Sequence, residues 1–199
     1  MRSVPDLEKY IPAKWRLKLK KLLDARTYRH SAAVAATAVY LAKRYGAGRK
    51  RAAVAGFLHD CAKGLNDSSL KRIMIKHKVS LDAIEKKLPA IWHSFAAPIL
   101  AREIFGVRDR QALDAMKYHT VGKRGMSRLG KIIYVSDYIE PGRRYRSCRK
   151  VRALLNRKKI SLDYLVLNVL KEKASYLEHG RKTMHPESIR LYSRLTSKF

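Results

Sequence analysis

Along most of the chain, apolar residues recur every three or four positions, the period of one face of an α-helix, and this pattern predicts an all-α protein. Trp15, Leu19, Leu22 and Leu23 mark a first amphipathic helix with Pro12 near its start. Val34, Ala38, Leu41 and Tyr45 mark a second, which Thr27 is placed to cap and Gly46 to stop. A third runs from about Arg49 to Lys63 and ends at Gly64. Asp67 to Leu88 holds two shorter helices, with Ser68, Ser69 and Ser80 as cap candidates. After Pro89 a helix spans Trp92 to Phe105, where Pro98 predicts a kink or break. Asp109 to Tyr118 forms another, and Val121 to Gly125 a loop. Ser127 caps a helix with the stripe Leu129, Ile133 and Asp137, which Pro141-Gly142 ends. Arg143 to Lys150 is expected to be a basic loop, followed by helices from about Ser161 to Glu178 and from near Pro186.

The stripes are not purely apolar, and the exceptions carry the chemistry. His30 lies four residues before Val34 on its stripe; His59 is in register with Ala52, Ala55 and Ala62; His93 is in register with Ala96, Ala97, Leu100 and Ile104. His119 closes the helix that carries Ala112, Ala115 and Met116, and Asp137 stands where an apolar residue is expected. Asp60 follows His59 directly. Successive helical residues lie about 100° apart, so His59 and Asp60 reach one point only where the helix wall faces a cavity. Burying an unpaired carboxylate costs on the order of several kcal/mol, which a metal ion offsets most simply. A hydrogen-bonded structural pair is the alternative for the doublet taken alone.

If the faces converge, four imidazoles and two carboxylates make a nitrogen and oxygen site suited to iron, manganese, cobalt or zinc. Six ligands exceed a tetrahedral zinc site, so two ions bridged by a carboxylate fit the count better. His77, His179 and His185 sit in polar surroundings or at helix ends and are left out.

Composition bounds the rest. The chain has 199 residues, enough for one well-filled core and short for two domains, so 1–199 is read as one domain. Ala32 to Val39 is too short an apolar run to span a bilayer, and Met1 to Asp6 is polar, so no membrane is expected and the chain is read as cytoplasmic. Cys61 and Cys148 lack the number and spacing of a disulfide framework and are read as free thiols. The 45 basic against 16 acidic residues give a net charge of +29, a field that attracts polyanions. The excess is spread throughout and denser after Pro141, where 16 basic residues face 4 acidic ones. It reads either as a lineage-wide bias or as a functional basic surface.

His30, the doublet His59-Asp60 and Asp137 resemble the H…HD…D signature of HD-domain metal-dependent phosphohydrolases, and His93 and His119 resemble the extra ligands of the dinuclear subgroup. The match is closer to one branch. His59 to Lys63 resembles its HDxxK, His119 to Gly122 its HTxG, and Asp137 to Arg143 its DYIEPxR segment. That branch is the YqeK-type family, described as symmetrical dinucleoside tetraphosphatases that split diadenosine tetraphosphate into two ADP. The resemblance runs from about His30 through Tyr192; Ser136 stands where the family usually has alanine, and the net charge of +29 exceeds the family's expectation.

The resemblance implies an HD helical bundle, with its core at about 27–140 and added C-terminal helices at about 141–199. It implies two metal ions, iron first, then manganese, cobalt or zinc. His30, His59, Asp60 and Asp137 would hold one, and Asp60, His93 and His119 the other, with Asp60 as bridge. Asp60 and Lys63 are the catalytic candidates, although Lys63 is equally suited to a salt bridge with a carboxylate. Lys63, Thr120, Gly122, Lys123 and Arg143 are the candidates for gripping phosphates, with solvated surface as the alternative for Lys123 and Arg144. Another nucleotide substrate (a cyclic dinucleotide, a guanosine polyphosphate or a deoxynucleoside triphosphate) is one rival. A basic RNA- or ribosome-associated protein with a structural metal is the other, lowered by the lack of an aromatic-rich RNA platform. A homodimer is left open.

Overall fold

In the computed structural model, which describes residues 7–199, two alanine-rich helices form the inner wall. These are α2 (Ala25–Tyr45) and α3 (Arg49–Leu58). They pack through Ala35, Ala38, Ala42, Ala52 and Ala55, all fully buried. Small side chains let the backbones approach closely: a Cβ on Gly56 would lie 2.9 Å from the Cα of Ala35. Around this pair stand α1 (Ala13–Leu22), α4 (Asp67–Lys76), α5 (Ala83–Lys86), α6 (Trp92–Phe105), α7 (Arg110–Lys117) and α8 (Arg128–Ile139). Then α9 (Arg146–Ala153), α10 (Leu162–His179) and α11 (Pro186–Thr196) follow, α9 and α10 lying on α8 and α11 on α10. Among the described residues there is no strand. The polar segment Met1 to Asp6 lies outside them.

One apolar cluster runs from Ile11 to Leu195 and joins the C-terminal helices to the rest. Its largest fully enclosed side chains include Tyr134, Phe57, Leu41, Ile132, Ile133 and Leu165. Each such Leu, Ile or Phe contributes about 1.5–3 kcal/mol relative to exposure.

The caps differ from the sequence expectation in an instructive way. Helix α2 starts at Ala25, because the Asp24 carboxylate accepts the N–H groups of Arg26 and Thr27 at 2.7 and 2.9 Å. Thr27 is the third helical residue and donates its hydroxyl to Asp24 Oδ2 at 2.7 Å. Likewise Asn66 caps α4, in place of Ser68 or Ser69, and Asp82 caps α5, in place of Ser80. In each case the acceptor two or three residues upstream of the free N–H groups takes the role, as cap geometry requires.

Three further departures shape the site. Helix α3 ends at Leu58, not Lys63, and the chain tightens into turns in which Cys61 N–H bonds Leu58 O and Lys63 N–H bonds Asp60 O, at 3.1 and 2.9 Å. The His59-Asp60 doublet therefore sits at a helix end. Gly64 is required there, since a Cβ would come within 2.1 Å of Leu22 O. Helix α6 continues through Pro98, because burial of Phe95, Ala96, Ala97, Ile99, Leu100 and Ala101 along both flanks outweighs one missing N–H. The segment expected as a basic loop contains α9, whose Cys148 and Val151 are buried while Arg146 and Arg149 face outward.

Candidate metal centre and active-site pocket

Five elements deliver the six ligand candidates to one place. His30 comes from the second turn of α2, His59 and Asp60 from the end of α3, His93 from the first turn of α6, His119 from just past α7, and Asp137 from α8. Asp60 is at the centre and fully buried. Its Oδ1 lies 3.3 Å from His93 Nε2 and 3.4 Å from His119 Nε2. Its Oδ2 lies 3.4 Å from His59 Nε2, 3.8 Å from His30 Nε2 and 2.8 Å from the Lys63 ammonium. Asp137 Oδ1 lies 3.0 Å from His30 Nε2 and 3.8 Å from His59 Nε2.

The hydrogen bonds at the far side of each ring say which nitrogen faces inward with a lone pair. His59 Nδ1 donates to Gly56 O, and His119 Nδ1 donates to Met116 O, both at 2.7 Å. In the neutral rings each Nε2 is then bare and directed at carboxylate oxygens. Among the described residues, His59 Nε2 and Asp60 Oδ1 have no hydrogen-bond partner although both are buried. A lone pair set against a carboxylate is repulsive unless a cation lies between them. The residues present therefore fit metal ions, in two groups whose ligand atoms lie within 4.8 Å of one another: His30, His59 and Asp60, and Asp60, His93 and His119.

The protonation states of the two aspartates, His93 and His119 agree with that donor set, whereas His30 carries a proton that a bound ion would displace. Burial alone would raise the pKa of Asp60, but the neighbouring His59 and His119 hold it well below the usual carboxylate range. Asp137 is held low against burial by the His30 hydrogen bond and the Arg143 guanidinium. Burial and the adjacent His119 push His93 down to about 3, and burial lowers His119 as well. Burial works against the charged form of His30 too, yet hydrogen bonds to Asp137 and Glu140 prevail and raise it to about 9. Cys61, next to Asp60, is no thiolate ligand: burial raises its pKa, and its Sγ donates to Ala97 O at 3.4 Å.

A cavity of about 900 Å³ opens over His30, Asp60 and Lys63. Lys63 and Arg143 both line it, each already bonded to a carboxylate of the centre: Lys63 to Asp60, and Arg143 Nη2 to Asp137 Oδ1 at 3.0 Å. Thr120 stands on the other side, its hydroxyl 3.0 Å from His119 Nε2 and 3.4 Å from His93 Nε2. Lys123 is turned away. Its ammonium pairs with Asp114 at 2.7 Å and sits over the Tyr118 ring. Gly122 serves the turn, with a φ of 72° and Leu191 so near that a Cβ would lie 2.9 Å from it. Ser136 is buried, its hydroxyl unpartnered among the described residues.

Three residues were missed from the sequence. Glu140, 3% exposed, holds His30 Nδ1 at 3.2 Å and accepts Gly142 N–H at 2.5 Å. Arg152 donates to the carbonyls of Ile139, Glu140 and Arg143 at 2.6, 2.5 and 2.8 Å and fixes the end of α8. Lys173 reaches from α10 to Thr120 O at 2.9 Å, across the face of Tyr134 at 4.1 Å. Burial pulls its pKa down to about 8. Only Lys173 had a signal, a charge on the inward stripe Leu162, Val166, Val169. Of the omitted histidines, His77 pairs with Glu103, His179 Nδ1 bonds Ser175 O, and His185, although buried, caps α11.

An all-helical bundle that gathers histidines and aspartates around a buried His-Asp doublet defines a metal-binding hydrolase centre. The chain belongs to the HD domain family, whose model matches residues 27–142. It is 33% identical over 179 residues to the symmetrical bis(5'-nucleosyl)-tetraphosphatase of Bacillus subtilis strain 168, covering 90% of this chain and 94% of that one. The enzyme of the same name from Staphylococcus aureus is 30% identical, with 85% and 87% covered. A crystal structure of a predicted HD superfamily hydrolase involved in NAD metabolism, from Clostridium acetobutylicum, superposes with a TM-score of 0.86 at 29% identity, covering 99% of this chain and all of the other.

Proposed function

We propose that the chain hydrolyses dinucleoside tetraphosphates symmetrically, diadenosine tetraphosphate and water giving two ADP. The names of its relatives support the substrate class. The observation that carries the chemistry is Asp60, whose two oxygens lie between two separate pairs of inward-facing histidines. On this reading His30, His59, Asp60 and Asp137 hold one transition-metal ion, and Asp60, His93 and His119 the other. Iron is the first candidate, ahead of manganese, cobalt and zinc. Bound there, the ions supply a water of lowered pKa and positive charge for the phosphoryl oxygens.

The chain's own residues orient the reaction. The water oxygen bonds to a phosphorus beside the central bridging oxygen, and the bond from that phosphorus to the bridge breaks, its electron pair leaving with the second ADP. Lys63 has N–H groups beyond the one given to Asp60, and its side chain is 44% exposed at the cavity, so it reaches both the carboxylate and a phosphoryl oxygen. Arg143 does the same from Asp137. Thr120 offers its hydroxyl beside His119. Lys123 is left out because Asp114 holds it.

Among the described residues no helix is long and apolar enough to cross a membrane, and a cytoplasmic location suits a nucleotide substrate. The RNA- or ribosome-associated alternative and the homodimer gain no support from the relatives. The test is metal analysis of protein purified without added metal, together with chromatography of the products from diadenosine tetraphosphate. Two metal equivalents and two ADP are expected. Release of ATP and AMP would mean asymmetrical cleavage and would overturn the reading.

A further inference from the structure

The outer part of the cavity is built differently from its floor. The first two turns of α2 bring Arg26 and Arg29 to it, and the segment after α8 brings Arg144 and Tyr145. The carboxylates in its lining are already engaged: Asp24 caps α2, Asp60 belongs to the centre, and Glu140 holds His30 and Gly142. Among the described residues the side chains of Arg26, Arg29 and Arg144 make no hydrogen bond or ion pair, and the Tyr145 ring, 67% exposed, contacts no other ring. Three guanidiniums without a hydrogen-bond partner around one cavity raise the local concentration of anions, although Arg26 also acts on the Asp24 charge, and guanidinium geometry matches phosphate oxygens. The cavity of about 900 Å³ lies toward the upper end of the roughly 300–1,000 Å³ that encloses whole small ligands. It extends well past what the scissile phosphates need.

We propose that Arg26, Arg29, Arg144 and Tyr145 form the subsite for one nucleoside diphosphate half of the substrate. The guanidiniums hold the phosphate remote from the breaking bond, and the phenol ring stacks on the base. This deepens the reading of the chain as a dinucleoside tetraphosphatase and rests on it for the identity of the ligand. The subsite reads charge and an aromatic face, not base edges. No Asn or Gln lines the cavity, and the Thr27 hydroxyl is committed to Asp24. Stacking tolerates any base because every base presents a π-face.

Two measurements on the metal-loaded protein test it: calorimetric binding of ADP and GDP, and steady-state hydrolysis of diadenosine tetraphosphate. Tyr145→Ala should weaken ADP binding and raise KM by roughly 5- to 150-fold, the range for removing one stacking ring. Tyr145→Phe should restore both. Arg144→Ala should cost roughly 1.4- to 5-fold in KM and the double variant Arg26→Ala/Arg29→Ala roughly 2- to 30-fold, as expected of one and two exposed cations. In all of these kcat and metal content should change less than about twofold, because the residues bind a part of the substrate that does not react. ADP affinity and KM unchanged in Tyr145→Ala and in the arginine variants would overturn the subsite while leaving the hydrolase reading intact. A wild type that binds ADP through these residues yet releases none from diadenosine tetraphosphate would overturn the hydrolase reading and support the subsite. A preference of more than about tenfold between ADP and GDP would overturn the stacking assignment.

Discussion

Glu140 Oε1 lies 3.2 Å from His30 Nδ1, joining the end of α8 to the second turn of α2 across 110 residues of sequence. The bond sets His30 with Nε2 toward Asp137 and Asp60. A carboxylate on the outer nitrogen of a ligating histidine fixes the ring and raises its basicity, and removing such a partner typically costs about 10- to 100-fold in metal affinity. Glu140→Ala should therefore lower metal affinity by that factor and reduce occupancy first at the His30 side. Glu140→Gln, which keeps an acceptor, should fall between. Competition with a chelator measures both, and equal affinity in Glu140→Ala and wild type would remove Glu140 from this role.

Asp60 and the pair His93 and His119 make separable predictions. Asp60→Ala removes the carboxylate shared by both ligand groups, so it should lose both ions and nearly all hydrolysis while the helical fold persists. His93→Ala or His119→Ala should bring metal content toward one equivalent. Elemental analysis beside circular dichroism distinguishes these cases. Two equivalents and full activity in both histidine variants would defeat the dinuclear assignment.

Arg152 should matter to stability more than its position on a basic helix implies. One guanidinium satisfies three carbonyls at the α8–α9 junction, two of them belonging to Ile139 and Glu140. Arg152→Ala leaves them without this donor, at a cost of about 2–3 kcal/mol, or roughly 4–12 °C in Tm for a chain of this size. Arg152→Lys recovers only part, because an ammonium cannot present the planar fork. Thermal unfolding of both variants tests the order.

These residues also mark where the sequence stops being legible. His30, His59, His93, His119 and Asp137 could be read because each interrupts an apolar helical stripe, and such a charge needs a local reason. Glu140 and Arg152 lie at or beyond a helix end, where periodicity carries no information about direction. Arg152 in particular bonds backbone carbonyls, which no side-chain pattern reveals. Helix α9 was hidden because only Cys148 and Val151 are buried on it, too few to stand out among arginines. The family resemblance had taken in Lys123 from its place just past His119, but position along the chain gives proximity without orientation, and Asp114 captures its ammonium. Lys173 obeyed the same stripe rule as Asp137, and a uniform application of that rule would have found it.

The final prediction concerns a tie remote from the metal centre. Asp163, at the start of α10, accepts from Lys131 of α8 at 2.6 Å and from Lys198 beyond α11 at 2.5 Å, so three parts of the C-terminal half meet at one carboxylate. Burial works to raise its pKa, but the two lysine hydrogen bonds and charges prevail and the folded value is lowered. A carboxylate whose folded pKa lies below its unfolded one binds fewer protons in the native state, so its stabilisation is present above the unfolded value, near 3.9, and is lost as pH falls through the folded one. Lys198 is 58% exposed and adds little, whereas Lys131 and Asp163 are 25% and 16% exposed, so the tie is worth about 1 kcal/mol in total. Asp163→Asn should thus lower Tm by roughly 2–4 °C at pH 7. The gap to wild type should narrow as pH falls below about 4 and close as the native carboxylate takes up its proton. Metal release in acid affects both proteins alike and cancels in the difference. A gap that stays constant throughout the acid limb would mean that Asp163 acts through packing and not through its charge.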